Sequence, residues 1–314
     1  MNSIFVFPGL GAQYAGMGKD IFNEFATARH AFQQVSDLSN KNIAEICFEN
    51  PGDVLSTNDV SMSLATFTHS LAIGRVIESE TGELLRSQSY VMAGHSAGQT
   101  AAFYFSGTLA LKDAVTFCNK SFRKDSLKGG IACIMGLEKE TLENIVADLS
   151  AKHGYAAISN YNSSTQFTVS GKLTALNHII DAAQKANASI AMLLKIPIPS
   201  HCALMKHAED EIRSMLLKTD VHAPKTKLFS DYTGDLIEDP VKIKNIMALK
   251  MTHGVKWAPI MEKFPQHQIT QSFEVGPGKT LSGLIRRARV GCAIQETNNL
   301  AGLRKVIDAL QKLK

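Results

Sequence analysis

The chain has 314 residues, 45% of them hydrophobic and 20% charged, with a formal net charge of +4. Those proportions suit a globular chain with a large buried core, and the charge is too mild to argue for nucleic acid as a partner. No apolar run approaches the roughly 18 residues of a membrane span, so no membrane partner is expected.

The opening residues, Met1-Asn2-Ser3-Ile4-Phe5-Val6-Phe7-Pro8, lack the basic stretch and long apolar core of a signal peptide. They read as a first buried strand over 4–7, running into a glycine-rich turn, Gly9-Leu10-Gly11-Ala12-Gln13. Strand-like runs then alternate with helical patterns through roughly the first hundred residues, the mark of an α/β core. An apolar strand at 90–93 enters Gly94-His95-Ser96-Ala97-Gly98-Gln99, and a helical run follows at 100–105. Strand, sharp turn and helix around Gly-X-Ser-X-Gly form the setting of a nucleophile elbow. The glycines let the chain turn tightly, and the helix N-terminus favours negative charge developing beside the serine. Ser96 is therefore the expected nucleophile.

A helix is predicted over 112–125, ending near Gly129-Gly130. Beyond it the pattern is strand 131–135, helix 139–152, strands 155–160 and 166–170 joined at Asn162-Ser163-Ser164, helix 173–188 and strand 191–196. That β-α-β-β-α-β order is a ferredoxin-like unit. Residues 129–196 are read as this small subdomain, inserted into a larger core made of 1–128 and 197–314, with Pro197 and Pro199 marking the return. A helix follows Ser200-His201, and a strand at 269–275 ends in Gly276-Pro277-Gly278, a tight turn before a helix from Leu281.

A serine nucleophile needs a base, and among ten histidines His201 is the best placed, in a loop held by nearby prolines before a helix. The five cysteines (Cys47, Cys118, Cys133, Cys202 and Cys292) are scattered, odd in number and without metal spacing. They predict buried unpaired thiols, no metal and a reducing, cytoplasmic setting. Two basic clusters stand out: Lys120, Arg123, Lys124 and Lys128, and Arg286, Arg287 and Arg289. Each is either a solvated helix face or a docking surface for an acidic partner.

Phe7-Pro8-Gly9-Leu10-Gly11-Ala12-Gln13, the elbow, Asn160-Tyr161-Asn162-Ser163, Pro199-Ser200-His201-Cys202-Ala203-Leu204-Met205 and Phe273-Glu274-Val275-Gly276-Pro277-Gly278-Lys279 occur in this order. Together they resemble, nearly end to end, the malonyl-CoA:acyl-carrier-protein transacylase family, which includes polyketide synthase acyltransferase domains. The resemblance implies an α/β-hydrolase-like core with a parallel sheet plus an inserted ferredoxin-like small subdomain. It also implies roles: Ser96 attacks an acyl thioester with His201 as base, and the N–H groups of Gln13 and Ala97 hold the oxyanion. The main-chain carbonyl of Lys250, where relatives carry glutamine, would orient the imidazole, and Asn162 would line the acyl cleft. No resident cofactor is implied. The acyl groups arrive on coenzyme A or on the phosphopantetheine of an acyl carrier protein, the expected partner.

The chain departs from the family where malonyl specificity is set. Malonyl-transferring relatives carry an arginine 25 residues beyond the serine, and that position is Ser121 here. Arg123, two residues on, should point elsewhere, about 200° around a helix. Met62 falls near a pocket glutamine of the relatives, Leu10 replaces another glutamine, and Gln99 replaces the elbow glutamate. A hydroxyl cannot replace a guanidinium in pairing a buried carboxylate. The expected function is thus a trans-acting acyl hydrolase that clears acyl groups from polyketide synthase carrier proteins. The alternative is malonyl or acetyl transfer between coenzyme A and carrier. A non-catalytic carrier-binding module and a generic α/β-hydrolase fit less well, because Ser96, His201, Gln13 and the inserted unit all occur together.

Overall fold

Ten strands organise the computed structural model, which describes residues 2–82, 90–124, 127–196 and 198–312. They are β1 (Asn2–Phe7), β2 (Tyr90–Gly94), β3 (Gly129–Met135), β4 (Ala156–Tyr161), β5 (Gln166–Lys172), β6 (Ile190–Leu193), β7 (Lys227–Phe229), β8 (Leu236–Ile237), β9 (Ile269–Glu274) and β10 (Ala293–Glu296). The larger sheet runs β10-β9-β1-β2-β7-β8, and the smaller β4-β5-β3-β6. The fold is α/β.

In the larger sheet every pairing is parallel except β7 with β8. The sheet is therefore mixed rather than wholly parallel. The reason is local: the turn after β7, closed by Gly234 N–H donating to the Ser230 carbonyl (2.8 Å), is too short for the crossover that a parallel partner requires. Central β1 is covered on both faces, with Ile4, Phe5, Val6 and Phe7 wholly buried, which explains its unbroken apolar run.

Strands do not alternate with helices through the first hundred residues. Between β1 and β2 the described chain is helical, at Lys19–Glu24, Ala26–Ser39, Ile43–Glu49, Val54–Thr57 and Asp59–Thr81. The Asp59–Thr81 helix is buried nearly all round, with Ser61, Thr66, Thr68, His69 and Ser70 among its buried residues, so it lacks the amphipathic period that marks a surface helix.

The small sheet is wholly antiparallel and carries the helices Lys139–His153 and Leu173–Lys185. Its spatial order is that of a ferredoxin-like unit, and Leu142, Val146, Phe167, Val169, Leu176 and Ile179 form a core of its own. It is stitched to the larger part beside the site: Tyr161 N–H donates to the Val255 carbonyl and Val255 N–H to the Ser159 carbonyl, both at 2.9 Å.

One predicted helix is much shorter than expected. It spans Leu111–Cys118 rather than 112–125, and residues 119–124 are irregular; Asp125, like Pro197, lies outside the described residues. Its final turn tightens, with Lys120 N–H reaching only the Phe117 carbonyl (3.4 Å). No described helix is long and apolar enough to cross a membrane.

Candidate active site

Ser96 sits where β2 turns sharply into the Gln99–Phe105 helix, with φ at 53°. Such a conformation is costly for a residue with a side chain and marks a site held by its surroundings. The glycines explain the hold. A Cβ on Gly94 would lie 2.3 Å from Gln99 N, one on Gly98 2.1 Å from the Phe7 carbonyl oxygen, and one on Gly9 2.5 Å from the His95 carbonyl oxygen. Only hydrogen at these three positions lets the N-terminal glycine loop lie directly on the elbow. Gln99 locks it further, accepting Gly94 N–H (3.0 Å) and donating to the Phe229 carbonyl (3.0 Å).

His201 approaches from the loop after the small sheet, and its Nε2 lies 2.6 Å from Ser96 Oγ. Its Nδ1 faces two main-chain carbonyls, Lys250 at 2.7 Å and His253 at 3.2 Å. Carbonyls only accept, so Nδ1 carries the proton and Nε2 is left as the acceptor for the serine hydroxyl. Lys250 caps the end of the Pro240–Leu249 helix, where carbonyls lack intrahelical partners and are free to accept. Burial, then the charges of Lys250 and His95, push the His201 pKa down to about 4, so the imidazole is neutral at pH 7.

Asp231, which the sequence reading missed, lies beneath the nucleophile. Its Oδ2 accepts the Ser96 main-chain N–H at 2.9 Å, fixing the strained peptide. Burial raises its pKa to about 6, against the pull of Lys250 and of that N–H. The signal that could have found it is positional. It lies just beyond the carboxyl end of β7, next to the elbow strand, where ligands of open α/β sheets bind. However, β7 is only three residues long and went unread.

Gln13 borders the open cleft that contains Ser96 and His201. Its side chain accepts Gly11 N–H (2.8 Å) and donates to the Leu55 carbonyl (2.8 Å), which rigidifies the loop. Ala97 follows the serine on the wall of a second, inner cavity. Asn162 lines the open cleft, and its Oδ1 accepts from His95 Nε2 at 2.8 Å, tying the small sheet to the elbow.

Two expected pocket residues are elsewhere. Met62 is wholly buried and off the cavity wall; Ser63, about 100° further round the same helix, lines it instead. Ser121 is not on a helix, so the rotation argument about Arg123 does not apply. The Ser121 hydroxyl faces Asp59, 3.0 and 2.9 Å from its two carboxylate oxygens, while Lys120 and Phe122 on either side line the cavity. Arg123 is exposed and donates to the Thr57 carbonyl at 3.3 Å rather than entering the cavity.

The inner cavity is walled mainly by Phe103, Phe117, Phe122, Ile212, Met247 and Met251. Lys250, of which only the carbonyl was anticipated, is also a lining residue, and its ammonium interacts electrostatically with Cys118 on the same wall and with Asp231. The basic clusters are partly neutralised, Lys120 by Glu211 and Arg286 by Glu296, both at 2.7 Å.

The family model for the acyl transferase domain matches residues 4–288. The chain belongs to the acyl transferase family. Within that family it is 26% identical over 288 residues to the malonyl CoA-acyl carrier protein transacylase of Bacillus subtilis (strain 168), covering 90% of this chain and 89% of the relative. The transacylase of the same name from Escherichia coli (strain K12) is 27% identical over 288 residues, 90% of this chain and 91% of its own. Among solved structures, an acyl-carrier-protein-S-malonyltransferase from Bartonella henselae superposes with a TM-score of 0.90 at 28% identity, covering 99% of both chains. A type II polyketide synthase malonyl-transacylase, solved with its acyl-carrier protein, shares the fold at a TM-score of 0.92 and 24% identity, over 98% of this chain and 100% of that one. The protein is thus an acyl transferase family enzyme.

Proposed function

We propose that this protein moves an acyl group from coenzyme A to the phosphopantetheine thiol of an acyl carrier protein through an ester on Ser96. The observation that carries this reading is the 2.6 Å contact between Ser96 Oγ and the unprotonated Nε2 of a buried, main-chain-oriented His201. Ser96 Oγ bonds to the thioester carbonyl carbon as its proton passes to His201 Nε2. The carbon–sulfur bond then breaks, and the proton returns from His201 to the leaving thiolate. In the second half the carrier thiol loses its proton to His201 and attacks the ester carbonyl; the ester carbon–oxygen bond then breaks and the proton passes from His201 to Ser96 Oγ. The main-chain N–H groups of Gln13 and Ala97 stabilise the oxyanion in both halves; Ser96 N–H is already engaged by Asp231.

Malonyl is the leading acyl group, because the relatives are named as malonyl transacylases. Hydrolytic release of acyl groups, which the sequence reading put first, retains one observation in its favour. Position 121 holds a serine turned to Asp59, and no arginine lines the inner cavity among the described residues. Intact-protein mass spectrometry after incubation with malonyl-CoA and then carrier protein separates the two. Transfer yields a Ser96 ester followed by malonyl-carrier. Hydrolysis yields free malonate and unloaded carrier.

The base also sets a pH limit. Neutral His201 is the active form and its pKa is pushed down to about 4, so acylation should hold its plateau as pH falls through 6 and decline only near 4. Single-turnover acylation across that range checks this, and a decline centred near about 6 that persists in Asp231→Asn would mean a solvated imidazole rather than protonation of Asp231.

A further inference from the structure

The mechanism uses Lys250 through its carbonyl, and its side chain has no task so far. Lys250 lines the inner cavity together with Ser96 and Ala97, and its ammonium interacts electrostatically with Cys118, another lining residue. An ammonium has three donors, and a buried one needs acceptors. Among the described residues Lys250 Nζ makes no hydrogen bond or ion pair. The two other charged groups on the wall are occupied. Asp59 accepts the Ser121 hydroxyl on both oxygens, at 3.0 and 2.9 Å, and the Phe122 N–H at 3.2 Å. Lys120 is paired with Glu211 at 2.7 Å.

Among the cations of the cavity wall, Lys250 is therefore the one whose donors no other described residue engages. Burial lowers its pKa from the ordinary lysine value, and the nearby Asp231 carboxylate opposes that shift in part. Most of the remaining wall is apolar, which weakens competition from water.

We propose that the Lys250 ammonium binds the distal carboxylate of a dicarboxylic acyl thioester, of which malonyl is the shortest, in place of an arginine at position 121. The inference rests on the acyl-transfer reading and names its substrate class. A lysine offers a point charge rather than a planar fork, so a different element of the fold can supply it. Its main chain and side chain then divide two tasks: the carbonyl orients the base and the ammonium selects the acyl group.

The test compares single-turnover acylation of Ser96 by malonyl-CoA and by acetyl-CoA in the full chain, followed by intact mass. The readout is the ratio of the two rates. Effects on His201 or on folding act on both thioesters and cancel. Wild type should favour malonyl-CoA. Lys250→Met should lower the malonyl-to-acetyl ratio by about a hundredfold or more, the usual scale for a buried charge that loses its partner. Lys250→Gln should do the same, and Lys250→Arg should keep the preference. An unchanged ratio in Lys250→Met, or a wild type that takes acetyl but not malonyl, overturns the inference and leaves acyl transfer standing. A wild type acylated by neither thioester overturns the acyl-transfer reading itself, and the inference with it.

Discussion

Ser96→Ala and His201→Ala each cut turnover of the acyl thioester by roughly 10³- to 10⁶-fold, and the double variant loses little more than either. Non-additivity is expected because the two side chains act as one unit. Ser96 Oγ is the atom that bonds to the acyl carbon, and at 2.6 Å His201 Nε2 is its proton acceptor. Without the imidazole the hydroxyl keeps its ordinary, very weak acidity. Without the hydroxyl the imidazole has nothing to activate. The oxyanion donors survive in both variants and set the residual rate. Mass spectrometry of enzyme and carrier reads the loss directly. Carrier binding that survives in Ser96→Ala while turnover disappears separates an enzyme from a carrier-binding module. An ester that still forms in Ser96→Ala would put the nucleophile elsewhere.

Gly98→Ala should be nearly as damaging, through the fold. The new methyl would lie 2.1 Å from the Phe7 carbonyl oxygen and 2.6 Å from the Pro8 carbonyl oxygen. Both are backbone atoms at the end of the central strand, so no flexible side chain can swing aside. Either β1 or the elbow must move, and each is packed between buried layers. Overpacking of a core typically costs about 1–3 kcal/mol, and a clash against backbone belongs at or beyond the upper end. At roughly 2–4 °C per kcal/mol for a chain of this size class, the melting temperature should drop by about 6 °C or more. The strained Ser96 peptide should lose its geometry with it. A melting temperature within about 1 °C of wild type would mean that the N-terminal loop does not press on the elbow.

The parts of the molecule legible in the sequence were those that local pattern determines. Strand, elbow and helix at Tyr90–Gly94 and Gln99–Phe105 follow one another without a break, so glycine spacing and apolar runs sufficed. The small sheet was legible for the same reason, its helices and strands alternating at short range. His201 could be singled out because prolines and a following helix make its loop distinctive. What remained hidden depends on partners far along the chain. The end of the helix at Cys118 is set partly by Asp59, which captures the Ser121 hydroxyl from 62 residues away. Met62 and Ser63 differ only in which way the Asp59–Thr81 helix is rolled, and that helix is buried on almost every side, so periodicity gave no bearing. Asp231 was missed because its strand is three residues long, and the place of Lys250 on the cavity wall because it is set by packing between segments far apart in the chain.

The orientation of His201 by peptide carbonyls at positions 250 and 253 has a consequence for how such an enzyme can diversify. Every amino acid brings the same carbonyl, so the codon for residue 250 can be rewritten without misaligning the base. Mutation at that position can therefore alter a residue of the cavity wall while the carbonyl that orients the base is kept. A histidine oriented by an aspartate side chain has no such freedom, since each change at the orienting residue is first a loss of catalysis.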